Sequence, residues 1–169
     1  LEALAAQHPG IEVLAADLRL QSPNPLPEEF AAAAQRDGLR VARATSVLSV
    51  VFRGDLSQLA NGRAVDDASP LRGRVTVARE AFGTGQPIAG GPAPGEAWPD
   101  SKLLAATGAS LGDELSIGAG TFRVTQVLIT RPDQGGTFSD LAPSILINAA
   151  DLAGTALLQP GSRASHAML

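Results

Sequence analysis

The chain has 169 residues, of which 44% are hydrophobic but only 4% aromatic, with no tyrosine and no cysteine. That length suffices for one sizeable domain, or two small lobes sharing a core of Ala, Val, Leu and Ile with Trp98 and five phenylalanines as large anchors. The net charge of −4 argues against a broad basic face for nucleic acid, and the missing cysteines remove disulfides, thiolate metal sites and cysteine nucleophiles. No run approaches the roughly 20 apolar residues of a membrane span. The opening LEALAAQHPG has neither an initiator Met nor a signal-peptide layout, so the chain reads as excised from something longer, as does its abrupt end at SRASHAML.

In chain order, IEVLAADLRL at 11–20 reads as a strand, followed by a proline-rich turn. A helix is expected next, with Pro27 in the first helical position and Glu28 and Glu29 favouring the positive end of its dipole. Phe30, Ala33 and Ala34 form its apolar stripe and Gly38 its terminator. LRVARATSVLSVVF and LSQLANGRAVD are rich in β-branched residues and read as strands, giving an opening of β-α-β-β character with the helix covering one sheet face. A short strand falls at Arg74–Ala78, and the Gly/Pro-rich GTGQPIAGGPAPGE then reads as an exposed loop. DSKLLAAT makes a short helix between an Asp100 cap and Gly108. ELSIGAGTFRVTQVLIT is a hairpin with Gly118-Ala119-Gly120 at its tip. The parity of Phe122 and Val124 against Val127 and Ile129 predicts a bulge or face switch near Gln126. RPDQGGTFSDLAP is a second polar loop, SILIN a buried strand, NAADLAG a short helix capped by Asn148, and the chain closes with a turn at Pro160-Gly161 and a strand.

One catalytic motif needs weighing. GASLG at 108–112 matches the G-x-S-x-G of serine hydrolases, and Asp133, Asp140, Asp151 and His166 follow in Ser…Asp…His order. A nucleophile elbow needs a strand entering and a helix leaving, whereas here a helix enters and a strand leaves. Gly108 and Gly112 have ordinary work as helix terminator and turn residue. The rival reading, a hydrolase using Ser110 with His166, therefore ranks below a chain with no chemistry of its own, and a free-standing binding module is a further alternative. GTGQPIAGG lacks the third glycine of a dinucleotide loop and any Walker lysine. His8 and His166 have no second ligand at metal spacing, and Asp66-Asp67 point to opposite sides of a strand, so no metal and no cofactor is expected. The loops 83–95 and 131–143 are candidate partner-contact segments, with Phe138 and Leu141 as their apolar contacts. The alternative is that both side chains fold back onto the domain.

Several phrases together resemble a known family. SQLANGRAVDDASPLRG, PAPGEAWPDSKLLAATGASLGDELSIGAGTFRVTQVLITRPDQGGTFSDLAPSILINAADL and QPGSR are similar to the first extracytoplasmic domain of FtsX-like ABC transporter permeases. The subtype is the one with two such domains, and the likeness extends to the MacB-like periplasmic core domain. Asn61-Gly62 and Ser69 stand where bulkier residues are expected in that family. The resemblance implies an α+β fold, a β-α-β core lobe with an inserted small strand-rich lobe. On this numbering, 1–69 is the first part of the core, 70–158 the inserted lobe and 159–169 the start of the strand returning to the core. It implies a periplasmic domain that transmits ATP-driven motion to export or release of a hydrophobic cargo or partner protein. Its partners are then the rest of the permease, a cytoplasmic ATPase subunit, and a lipid, lipoprotein or periplasmic protein cargo. A further β-α-β unit is expected beyond Leu169, and without it the chain is expected to self-associate through the exposed core face or a sheet edge.

Overall fold

The structure is a computed structural model describing residues 16–133, 141–159 and 162–169. Its spine is a long antiparallel hairpin, β2 (Arg43–Arg53) and β3 (Leu56–Val65), with rungs from Ala44↔Val65 to Arg53↔Leu56. Alternating apolar and polar residues along β2 make this possible: Val47, Ser49 and Val51 point inward and Leu48, Val50 and Phe52 outward. Four more strands close on it, β6 (Glu96–Pro99), β7 (Glu114–Ile117), β8 (Gly120–Val124) and β10 (Ser144–Asn148). The ring runs β2-β3-β10-β6-β8-β7 and returns to β2 through Val51↔Ile117 and Phe52↔Ser116, a closed six-stranded barrel. Two of its pairings are parallel, β3 with β10 and β6 with β8.

The barrel interior is an apolar plug of Val51, Ala60, Ala64, Ala97, Leu115, Ile117, Phe122, Val124, Ile145 and Ile147. Small residues on β3 leave room for the large ones opposite, which is how so alanine-rich a chain reaches close packing. Helix α2 (Ser101–Thr107) closes one end with Leu103 and Leu104, and two 3-10 turns, Ala149–Asp151 and Ala153–Thr155, bring Leu152 into the same core from the far end of β10. A second layer lies outside. Strands β4 (Val75–Ala78), β5 (Gln86–Ile88) and β9 (Val127–Thr130) form a three-stranded sheet. Its Val75, Val77 and Leu128 pack on Trp98, Leu146, Ala44 and Val65 of the barrel wall.

At the base of the hairpin the sheet is extended. β11 (Ala164–Met168) pairs with the first half of β2, on the edge that β7 uses further along, and β1 (Leu20–Ser22) pairs with β11. Helix α1 (Glu28–Arg36) lies beside this extension.

The α+β class is as expected, with strands predominating, and several local readings hold. Asp100 accepts the Leu103 N–H, and Gly108 ends α2 at φ 63 with its N–H on the Leu104 carbonyl. Asn148 caps the first 3-10 turn through the Ala150 N–H, so NAADLAG makes two tight turns where one α-helix was expected. The parity change at Gln126 is a change of sheet: β8 belongs to the barrel and β9 to the outer layer. Other readings need correction. The first strand is confined to Leu20–Ser22 among the described residues, and 11–15 lie outside them. Pro27 is the N-cap of α1, and the helix buries Ala31 while Phe30 is 46% exposed, so the expected stripe does not cover a sheet face. Strand β6 was not expected: only its first residue, Glu96, falls in the predicted loop, and Ala97, Trp98 and Pro99 fall in no predicted element. Only its place between β10 and β8 makes Glu-Ala-Trp-Pro a strand.

Candidate partner-contact surface

The residues of the hydrolase motif are not assembled. His166 pairs with Thr45 in register, and its Nδ1 lies 3.1 Å from the Thr45 hydroxyl. Ser110 sits beyond the opposite end of β2, in a turn whose Asp113 accepts the Ser110 N–H and pairs with Arg53 at 2.9 Å. Eight residues of strand separate Thr45 from Arg53, about 26 Å at the usual rise. Asp151 accepts the Gly95 N–H, Asp133 is bound to Arg63 and Arg131, and Asp140 lies outside the described residues. The glycine before the serine ends a helix, and the loop after it starts β7. Among the described residues no group of His, Asp and Glu is arranged to hold a metal ion.

Neighbouring carboxylates Asp66 and Asp67 do separate structural work. Asp66 accepts the Arg43 N–H at 2.7 Å and Asp67 accepts from the Asn148 amide at 3.0 Å. Burial raises the Asp66 carboxyl above its ordinary range, partly offset by hydrogen bonds from backbone N–H groups. Arg63 is the strongest perturbation. It lies on the barrel wall beneath the outer layer, ion-paired with Asp133, and burial lowers it to about 10 despite that partner, with Arg131 and Arg19 adding repulsion. These charges fasten the 131–133 segment to β3, a role in the fold.

Several large apolar side chains face solvent. Leu141 is 70% exposed, directed away from the domain rather than folded onto it, and its carbonyl accepts from Lys102 Nζ at 3.3 Å. Phe138 lies outside the described residues. The 83–95 segment is not uniformly a loop: Gln86–Ile88 is β5, and Pro92 is buried with its carbonyl bound by Asn148. Just before it stands a residue that sequence reasoning missed. Phe82 is 75% exposed and held at φ 58, a left-handed conformation that costs a bulky side chain on the order of 1 kcal/mol or more. Its N–H donates to Ser101 Oγ at 2.9 Å, so Phe82 and Leu141 are anchored to successive residues of the first turn of α2. No spacing in the sequence betrays Phe82, because its conformation is imposed by the turn that brings Gly83 N–H to the Glu80 carbonyl.

A second apolar feature lies at the base. Leu18, Leu20, Leu39, Val41, Leu71 and Met168 line an open cleft of about 130 Å³ between α1 and β11, with Arg40, Arg72 and Asp17 at its margin.

This barrel with its outer sheet and base extension is the architecture of a MacB-like periplasmic core. The periplasmic region of MacB from Actinobacillus actinomycetemcomitans superposes with a TM-score of 0.52 over 95% of this chain and 77% of that one, at 13% identity. In sequence, the chain is 32% identical over 152 residues to the uncharacterized ABC transporter permease YbbP of Escherichia coli (strain K12). That alignment takes in 90% of this chain and 18% of the permease, so the chain spans under a fifth of its relative's length. No family model matches. The fold is thus that of a MacB-like periplasmic core, and the sequence is similar to one segment of an ABC transporter permease.

Proposed function

We propose that this chain is the periplasmic domain of an ABC transporter permease, of the subtype with two such domains, and that it transmits ATP-driven motion to the export or release of a hydrophobic cargo or partner protein. The similarity to a permease over 90% of the chain is the observation that carries this reading. Its partners are then the rest of the permease and a cytoplasmic ATPase subunit, with a lipid, lipoprotein or periplasmic protein as cargo. Residues 1–69 and 159–169 belong to the core lobe and 70–158 to the inserted lobe. The domain does no chemistry of its own, a reading supported by the separation of Ser110 from His166 along β2. Leu141 and Phe138 are contacts for a partner, and exposed Phe82 joins Leu141 beside the first turn of α2.

A closed barrel suits such work because it moves as one body about the β1–β11 base. The test uses the parent permease reconstituted with its ATPase. The chain has no native cysteine, so Leu141→Cys gives it one labelling site. The label's distance to a second one in the membrane part is expected to change between ATP-bound and nucleotide-free states. An identical distance distribution in both states overturns the transmission reading.

A further inference from the structure

Where the outer layer meets the barrel wall, the buried charges do not balance. Arg63 on β3 is 7% exposed, its Nη1 donating to Ser46 Oγ at 3.1 Å and its Nη2 paired with Asp133. The other oxygen of that carboxylate lies 3.5 Å from Arg131 Nε. Arg19 is close enough to add repulsion at Arg63, and its own Nε is buried without a hydrogen-bond partner among the described residues. Asp17, two residues before Arg19, is held by Arg72 in solvent. Among the described residues, three guanidiniums therefore gather around one carboxylate, an excess of two positive charges. A chain that carries −4 overall has concentrated the opposite sign where desolvation makes it most costly.

Beside the Arg63–Asp133 pair lies a cavity of about 20 Å³. Both of these side chains line it, with Arg131, buried Ser69, the side-chain-free backbone of Gly91, and Leu146. We propose that this cavity binds a small monovalent anion of chloride's size, held by the guanidiniums of Arg63 and Arg131 in the field of Arg19. Size and charge select the occupant. The volume admits one water-sized species, and a phosphate, a sulfate or an organic acid is too large for it. A single negative charge halves the local excess, which a water molecule in the same place cannot do. The ion would then help Asp133 fasten the 131–133 segment, and with it the outer layer, to β3. None of this depends on the permease reading.

The test is thermal unfolding of the 169-residue chain at constant ionic strength, with chloride exchanged for methanesulfonate, an anion of the same charge but too large for the cavity. With a dissociation constant on the order of 10 mM, about 0.2 M chloride favours the folded state roughly twenty-fold, a rise in midpoint of about 4–7 °C. Saturable amide shifts at Ser69, Gly90 and Gly91 in a chloride titration followed by NMR are expected to locate the ion. Arg19→Gln removes a cation that pairs with no described carboxylate, and is expected to weaken chloride binding several-fold. Asp133→Asn removes the competing negative charge and is expected to tighten it several-fold. A general salt effect would move neither, and Arg19→Gln carries the comparison if Asp133→Asn fails to fold. Equal midpoints in the two salts overturn the proposal, as does a chloride response that Arg19→Gln leaves unchanged. A response that appears only in Asp140→Asn would give the role to the chain's own carboxylate and overturn it equally.

Discussion

The barrel and the segment carrying β1 and α1 are built from similar residues and held in different ways. In the barrel, every strand has a partner on both edges, and the side chains that fill it come from positions as far apart as Val51 and Ile147. Helix α1 has favourable acidic residues in its first turn and Arg36 in its last, yet buries a single alanine. Its connection to the rest includes the Glu28–Arg43 ion pair, largely in solvent. Local helical propensity forms α1, whereas non-local burial forms the barrel. The two regions should therefore lose structure separately.

The largest effect is expected from Asp133→Ala, which leaves Arg63 buried without its carboxylate. A loss of roughly 3–5 kcal/mol is expected by chemical denaturation. If unfolding then splits into two transitions, the outer layer is a unit distinct from the barrel. Leu115→Ala, at a fully buried barrel position, should cost about 2–5 kcal/mol and lower the single main transition, because no neighbour in the closed ring can collapse into the gap. Glu28→Gln should leave that transition where it is and speed hydrogen exchange in 28–36 alone. A matching shift of the main transition would mean that α1 is part of the barrel's cooperative unit.

The smallest effect is one of pH, and its sign differs at two carboxylates. Arg43 holds Glu28 below its ordinary 4.5, so the pair's contribution is present above that value and lost as pH falls through the folded pKa. Asp66 is raised by burial above 3.8, so its contribution is present below that value and lost as pH rises through the folded pKa. Acidification from neutral should loosen α1, seen as faster amide exchange in 28–36. The opposing gain in main-transition stability should vanish in Asp66→Asn.

The parts legible in the sequence are those whose cause is local. The cap at Asp100, the left-handed Gly108, the β7–β8 turn and the parity change at Gln126 each follow from a few adjacent residues. At the turn, Gly118 has φ 55, and a Cβ there would meet the Thr155 carbonyl oxygen at 2.1 Å, so a requirement read from turn geometry is reinforced by a contact no spacing shows. Barrel closure was not legible, because it rests on Asn61 beside Ser144 and Val51 beside Ile117, pairings between distant segments that each read as an ordinary strand. β6 went unseen for the same reason. On the candidate surface, Leu141 was marked by an apolar residue in a polar loop, and it is exposed. The Leu48-Val50-Phe52 strip had a signal too. SVLSVVF is apolar at both parities, which marks a strand whose two faces both avoid water, but parity alone does not say which face the fold leaves bare.

The shared edge of β2 also has a mechanical consequence. β1 and β11 are antiparallel, with Leu20 opposite Met168, so tension between Leu18 and Leu169 pulls on one end of that pair and opens it a rung at a time. The load then reaches β2 through its first rungs with β11, while the Val51–Ile117 seam lies several residues further along the same strand. Drawn out in a force experiment, the molecule should give up the β1–β11 extension at low force and keep its barrel whole. The base would thus act as a yielding coupling, and the barrel as the stiff member it protects.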